Sequence, residues 1–138
     1  MRPPEAEIRL LVGEWVKKAD LDLRTAVRLS AESEFRDIAG LHAQQAAEKY
    51  LKALLTRRQI EFPKTHVIRR LLILLEPVDP AMAEALDDAN WLSPFGAEIR
   101  YPGDRATALP DEEVRARQLA QKVRDAAMAV LGPYLAGG

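Results

Sequence analysis

Apolar residues recur every three or four positions through most of the chain, the spacing of one face of an α-helix. Ile8, Leu11, Val12, Trp15, Ala19, Leu23, Ala26 and Val27 form the first such stripe and predict a helix over residues 5–30. Pro3 and Pro4 sit where a helix start tolerates them, and Glu5 and Glu7 suit the positive end of its dipole. Asp20 and Asp22 fall beside this stripe, either in solvent or in a polar seam between helices. A second helix is predicted over 35–58, where Arg57 and Arg58 complement the C-terminal dipole. A third starts near Thr65 as its N-cap and stops before Pro77. Apart from Arg69 and Arg70 it is apolar nearly all round, which predicts deep packing.

A fourth helix is predicted over 80–92, with Asp79 as cap and Pro80 at its first position. Residues 93–110 show no period and hold Pro94, Gly96, Pro102, Gly103 and Pro110, which predicts a long loop of the kind that often carries function. The last helix is predicted over 111–131, with Asp111, Glu112 and Glu113 in its first turn and Gly132-Pro133 as its stop. Leu119, Val123, Ala126, Ala127 and Val130 form its expected buried stripe. Four or five helices with short links imply an all-α fold, an up-and-down antiparallel bundle.

Composition agrees with that class. The 138 residues suit one domain over 1–138 and are rich in Ala, Leu, Arg and Glu, all strong helix formers. The absence of cysteine excludes disulfides, thiolate metal sites and cysteine-based catalysis. No segment approaches the ~20 apolar residues of a membrane span, and the opening Met-Arg-Pro-Pro-Glu does not look like a signal peptide, so a cytoplasmic setting is expected. A formal net charge of -1 gives no global basic field, so any nucleic-acid binding needs a local patch or a symmetric assembly.

Candidate chemistry concentrates in the second helix and the long loop. On a helical wheel Ala43, Ala46, Ala47, Tyr50 and Leu54 share an apolar arc of about 100°. His42, Gln45, Lys49 and Lys52 share another of about 80°. Glu48 precedes Lys52 by one turn, the favourable order for an ion pair. The polar arc is either a solvated face or a seam at a helix or subunit interface. In the loop, Arg100 suits bidentate contact with phosphate and Tyr101 suits stacking on a base; alternatively Arg100 pairs with a helix acid and Tyr101 plugs the bundle end. Arg57, Arg58, Lys64, Arg69 and Arg70 cluster at one helix junction, more typical of solvated or helix-end residues than of a phosphate site. His66 reads as structural. Two histidines without cysteine do not make a His-rich metal site, no phosphate-binding glycine loop is present, and no cofactor is implied.

The run His42-Ala43-Gln44-Gln45-Ala46-Ala47-Glu48-Lys49-Tyr50-Leu51-Lys52-Ala53-Leu54-Leu55, preceded by Ala19-Asp20-Leu21-Asp22 and followed by Pro63-Lys64-Thr65-His66 and then Arg100-Tyr101-Pro102, resembles the HEPN domain family. The resemblance implies a helical bundle that often forms homodimers. Many prokaryotic members are paired with a minimal nucleotidyltransferase in toxin–antitoxin or defence systems. Some members are metal-independent ribonucleases that use an arginine and a histidine a few residues after it, joined across the dimer cleft. Arg100 matches that arginine, but Arg105 and other non-histidine residues stand where the histidine belongs, and no histidine follows His66. Arginine is a poor base because it stays charged. The resemblance therefore implies a nucleotide- or RNA-binding dimer, partnered with a nucleotidyltransferase, without a full ribonuclease centre; the candidate contacts are Arg100, Tyr101 and Arg105 of the loop and His42, Gln45, Lys49 and Lys52 of the polar arc. The alternatives are a ribonuclease using Arg100 with His42 or Asp104, and a helical adaptor with no nucleotide role.

Overall fold

The computed structural model describes residues 4–97 and 108–137. Every regular element among them is helical: α1 (Glu5–Leu29), α2 (Arg36–Arg57), α3 (Ile68–Leu75), α4 (Pro80–Ala85), α5 (Ser93–Ala97) and α6 (Pro110–Gly137), with 3₁₀ turns at Ser33–Phe35 and Asp87–Leu92. The chain is all-α, as its composition predicts. None of these helices is long and apolar enough to cross a membrane.

α2 is the central element and packs against α1, α3, α5 and α6. Its small residues Ala39, Ala43, Ala46, Ala47 and Ala53 are fully buried and let those neighbours come close. Tyr50, Leu51 and Leu55, equally buried, fill the spaces between them. α1 and α6 meet in reverse order. Tyr134 of α6 donates from its hydroxyl to Glu5 Oε1 at 2.7 Å, and its carbonyl accepts from Arg9 Nε at 3.2 Å. Farther along, Arg124 Nε donates to Asp20 Oδ1 at 3.1 Å. After α2 the chain turns through Gln59 at φ 56°, and Ile60 N–H reaches back to the Leu55 carbonyl at 2.9 Å, closing the helix end.

Several expected boundaries move. Thr65 is not the cap of α3, which begins at Ile68. Its hydroxyl accepts the Val67 N–H at 3.1 Å and holds a local turn that competes with helix there. α3 buries one side only: Ile68, Leu71, Leu72 and Leu75 face the core while Ile73 is 56% exposed. Asp79 does cap α4, accepting from Met82 N–H at 3.1 Å, but the helix tightens into the 3₁₀ turn at Asp87–Leu92. Residues 93–97 are helical rather than loop: Pro94 falls in the first turn of α5, where its missing N–H costs nothing. Phe95 packs on Gly40, where a Cβ would lie 2.2 Å from its ring.

α6 runs through Gly132-Pro133 to Gly137, because Tyr134 and Leu135 pack against the core and Arg9 binds the Tyr134 carbonyl. Leu11, Val27 and Val130, expected in buried stripes, are exposed, whereas Val16 and Leu131 are buried. On α1 the exposed pair, Leu11 and Val27, are opposite edges of the predicted stripe, whose centre is unchanged, whereas on α6 the buried face turns by about 50° to take in Ala116, Ala120 and Leu131.

Gly40 and Gly13 make a matched test. Gly40→Ala pushes a methyl into the Phe95 ring and is expected to destabilise by about 1–3 kcal/mol. Gly13→Ala, in mid-α1 with the added carbon in ordinary contact with Leu135 at 3.8 Å, is expected to stabilise by about 0.5–1 kcal/mol. Urea unfolding of the two variants measures both signs.

Candidate functional site

Three ionic clusters surround α2. In the seam with α1, Asp22 is 7% exposed. His42 Nδ1 lies 2.9 Å from Asp22 Oδ1, and Lys49 Nζ donates to Asp22 Oδ2 at 2.5 Å. The carboxylate only accepts, so His42 donates from Nδ1. The helical period puts His42 and Lys49 on one side of α2, and α1 presents Asp22 to both. These two residues therefore form an inter-helix seam rather than a solvated face.

On a different side of α2, Glu48 is 2% exposed. It accepts from Lys52 Nζ at 3.1 Å, from Gln44 Nε2 at 3.3 Å and from His66 Nδ1 at 3.0 Å. Gln44 Nε2 also donates to the His66 carbonyl at 3.0 Å, which fixes the segment before α3 against α2. The Lys52 ammonium sits 5.4 Å from the Trp15 ring centre and 6.0 Å from that of Phe62, a partly aromatic pocket for a buried cation. The His66 side chain itself is 78% exposed. An imidazole held through Nδ1 by a buried carboxylate keeps Nε2 available as acceptor or base.

The third cluster joins α1, α2 and α6. Tyr50 donates from its hydroxyl to Asp20 Oδ1, the oxygen that also accepts from Arg124. Burial, followed by the Asp20 carboxylate, pushes the Tyr50 phenol above its ordinary value. Burial opposes the Arg124 charge, but Asp20 and Tyr50 outweigh it and raise the guanidinium's value.

The residues singled out in the sequence are not brought to one place. His42 and Lys49 share Asp22, Lys52 belongs to the Glu48 cluster, and half-buried Gln45 forms no hydrogen bond among the described residues. Of the junction arginines, Arg57 stacks over the Tyr134 ring at 4.2 Å, and Arg58, Lys64, Arg69 and Arg70 are exposed. Arg100, Tyr101, Asp104 and Arg105 lie outside the described residues. The residues flanking that segment are placed: a Cβ at Gly96 would come within 2.4 Å of Gln44 Oε1, and Ala108 N–H donates to Asp37 Oδ1 at 2.7 Å. Asp37, Gly40, Gln44 and Glu48 thus share one side of α2. By the helical period His42 lies ~160° around the helix from Gln44, whereas His66 bonds Gln44 and Glu48 directly. Sequence reasoning overlooked Glu48 with His66 and Asp20 with Tyr50 and Arg124. Their only signal was an acid at the edge of an otherwise apolar face.

Helices joined by carboxylates at their seams define an all-α helical protein. Residues 12–132 match the HEPN domain, and the chain belongs to that family. No curated protein and no solved structure matches it.

Glu48→Ala leaves the Lys52 ammonium buried without its partner and is expected to destabilise by about 3–5 kcal/mol. Glu48→Leu combined with Lys52→Met removes both charges and is expected to cost clearly less in the same denaturant titration. Tyr50 gives a pH test. Its folded value is raised, so its stabilising contribution is complete below the ordinary value of 10.0 and is lost as pH climbs from there toward the folded value. An absorbance titration of phenolate should lose its late-ionising component in Tyr50→Phe.

Proposed function

We propose that this HEPN protein is a single-domain, up-and-down bundle that acts as a homodimer beside a minimal nucleotidyltransferase in a toxin–antitoxin-like system. It binds nucleotide or RNA through the Arg100-Tyr101 segment, with Arg105 beside it, and lacks full ribonuclease activity. The observation that carries the binding reading over the cutting one is the division of α2 into two sides. His42, the histidine proposed to stand in for the missing catalytic partner, is tied to Asp22 and Lys49 in the α1 seam. The residues flanking 98–107 are held on the other side, at Gln44 and Asp37. That separation supports a reading in which His42 is not the partner of Arg100 within one subunit. The reversed pairing of α1 with α6 supports the up-and-down order.

One observation favours a second reading, a ribonuclease. His66 lies on the same side of α2 as those flanking residues and is aligned by Glu48. If the chain cuts RNA, His66 rather than His42 is the base, because it is exposed and carboxylate-backed.

The test uses the purified chain with labelled RNA and with ATP as nucleotide probe. The expected result is a symmetric dimer by light scattering, binding that falls at least about tenfold in Arg100→Ala through loss of a charged contact, and intact RNA. RNA cleavage abolished by Arg100→Ala and by His66→Ala but kept in His42→Ala establishes the second reading. Absence of binding to either probe removes the first.

A further inference from the structure

On the outer side of the α1–α6 contact lies an open groove of about 870 Å³. Its α1 lining runs from Gly13 to Arg28, so it is about 22 Å long at the rise of an α-helix. Val16 and Leu23 form the floor and Val27, 50% exposed, continues it. Lys17, Arg24 and Arg28 stand exposed along this lining, and none of them forms an ion pair or hydrogen bond among the described residues. The groove's acid, Asp20, is already engaged by Tyr50 and Arg124. Three positive charges therefore line an apolar trough without compensation, on a chain whose formal net charge is -1. Leu10 and Leu21, 63% and 58% exposed, fall within ~60° of the same cations on the helical wheel and widen the apolar strip.

We infer that this groove is a docking site for an amphipathic helix of a partner protein, one whose apolar stripe is flanked by Glu or Asp. Length, floor and charge each point to that occupant. A trough of this length accepts about four turns of helix, the helix-in-groove mode of recognition. Its apolar lining is aliphatic, and no aromatic residue among the described ones lines it, whereas single-stranded nucleic acid is held by aromatic stacking platforms. Carboxylates at one-turn spacing on the incoming helix meet Lys17, Arg24 and Arg28, which recur at seven- and four-residue intervals along α1. The assignment does not depend on Arg100 or on nucleotide binding: the groove shares Asp20 and Arg124 with the third ionic cluster, but neither residue enters the RNA-binding or RNA-cutting reading.

The probe is a dye-labelled synthetic helix of ~15 residues with a leucine stripe flanked by glutamates, compared with a twin carrying lysines in their place. Fluorescence anisotropy should show binding of the acidic helix only, weakened at least about tenfold by Arg24→Glu/Arg28→Glu and by Val27→Asp, and reduced by salt. Arg70→Glu, an equally exposed charge reversal outside the groove, should leave binding intact. Circular dichroism checks that each variant is folded. The inference is overturned if the acidic helix does not bind, or if Arg70→Glu weakens it as much. It is overturned equally if a single-stranded RNA oligonucleotide, and not the helix, depends on Arg24 and Arg28. A native dimer that becomes a monomer in Arg24→Glu/Arg28→Glu assigns the groove to a second copy and also overturns it. None of these outcomes bears on Arg100→Ala, so the two readings fail separately.

Discussion

The bundle depends on the carboxylate of Glu48. A charge this deeply buried is costly unless donors surround it, and three side chains from two parts of the chain supply them. Lys52 balances the charge from the same helix. Gln44 and His66 reach it from either side of the loop that joins α2 to α3. The carboxylate thereby fixes where the chain re-enters the core at Ile68. It also fixes Gln44, whose amide packs against Gly96 of α5. The position of α3, the docking of α5 and the exit toward the Arg100 segment all follow from satisfying one buried anion.

Asp22 and Asp20 do comparable work on α1. Asp22 holds His42 and Lys49 across the α1–α2 seam, and Asp20 ties α1 to both α2 and α6. Apolar contacts between helices tolerate sliding, because one methyl can replace another. A hydrogen-bonded carboxylate does not, since a shift of one turn leaves it buried and unpaired. In this protein Asp22 and Glu48 are two such buried groups, and part-exposed Asp20 adds a third tie, so together they specify the register of the helices that the alanines of α2 allow to approach.

The helices themselves were legible from periodicity because their apolar faces are long. α1 and α2 begin and end within a residue or so of the positions that the pattern predicts. What the pattern misjudged was decided by tertiary contacts. Proline and glycine at 94, 96, 132 and 133 signal chain breaks, yet Phe95 and Tyr134 dock and keep those stretches helical. The polar stripe of α2 was legible as a stripe. Its division among separate partners was not, because partner choice depends on which helix packs where. Lys52 shares the arc of His42, but its pairing with Glu48 one turn earlier, also legible in the sequence, is the one formed, and the rings of Trp15 and Phe62 complete its surroundings. His66 gave no periodic signal, since it precedes α3 in an irregular segment.

The near-zero net charge conceals a segregation that bears on function. Several acids, Asp20, Asp22, Glu48 and Glu113, are drawn inward or into seams and paired there. Cations such as Lys17, Arg24 and Arg28 are left outside without partners among the described residues. Internal pairing of the acids gives one surface of a nearly neutral protein a local positive field. Fields of this kind steer anionic partners at distances within the Debye length, about 8–10 Å at ordinary salt, without requiring a basic chain overall. The same acids that set the helix register therefore also leave α1 with an inward face closed by its own pairings and an outward face open to a partner.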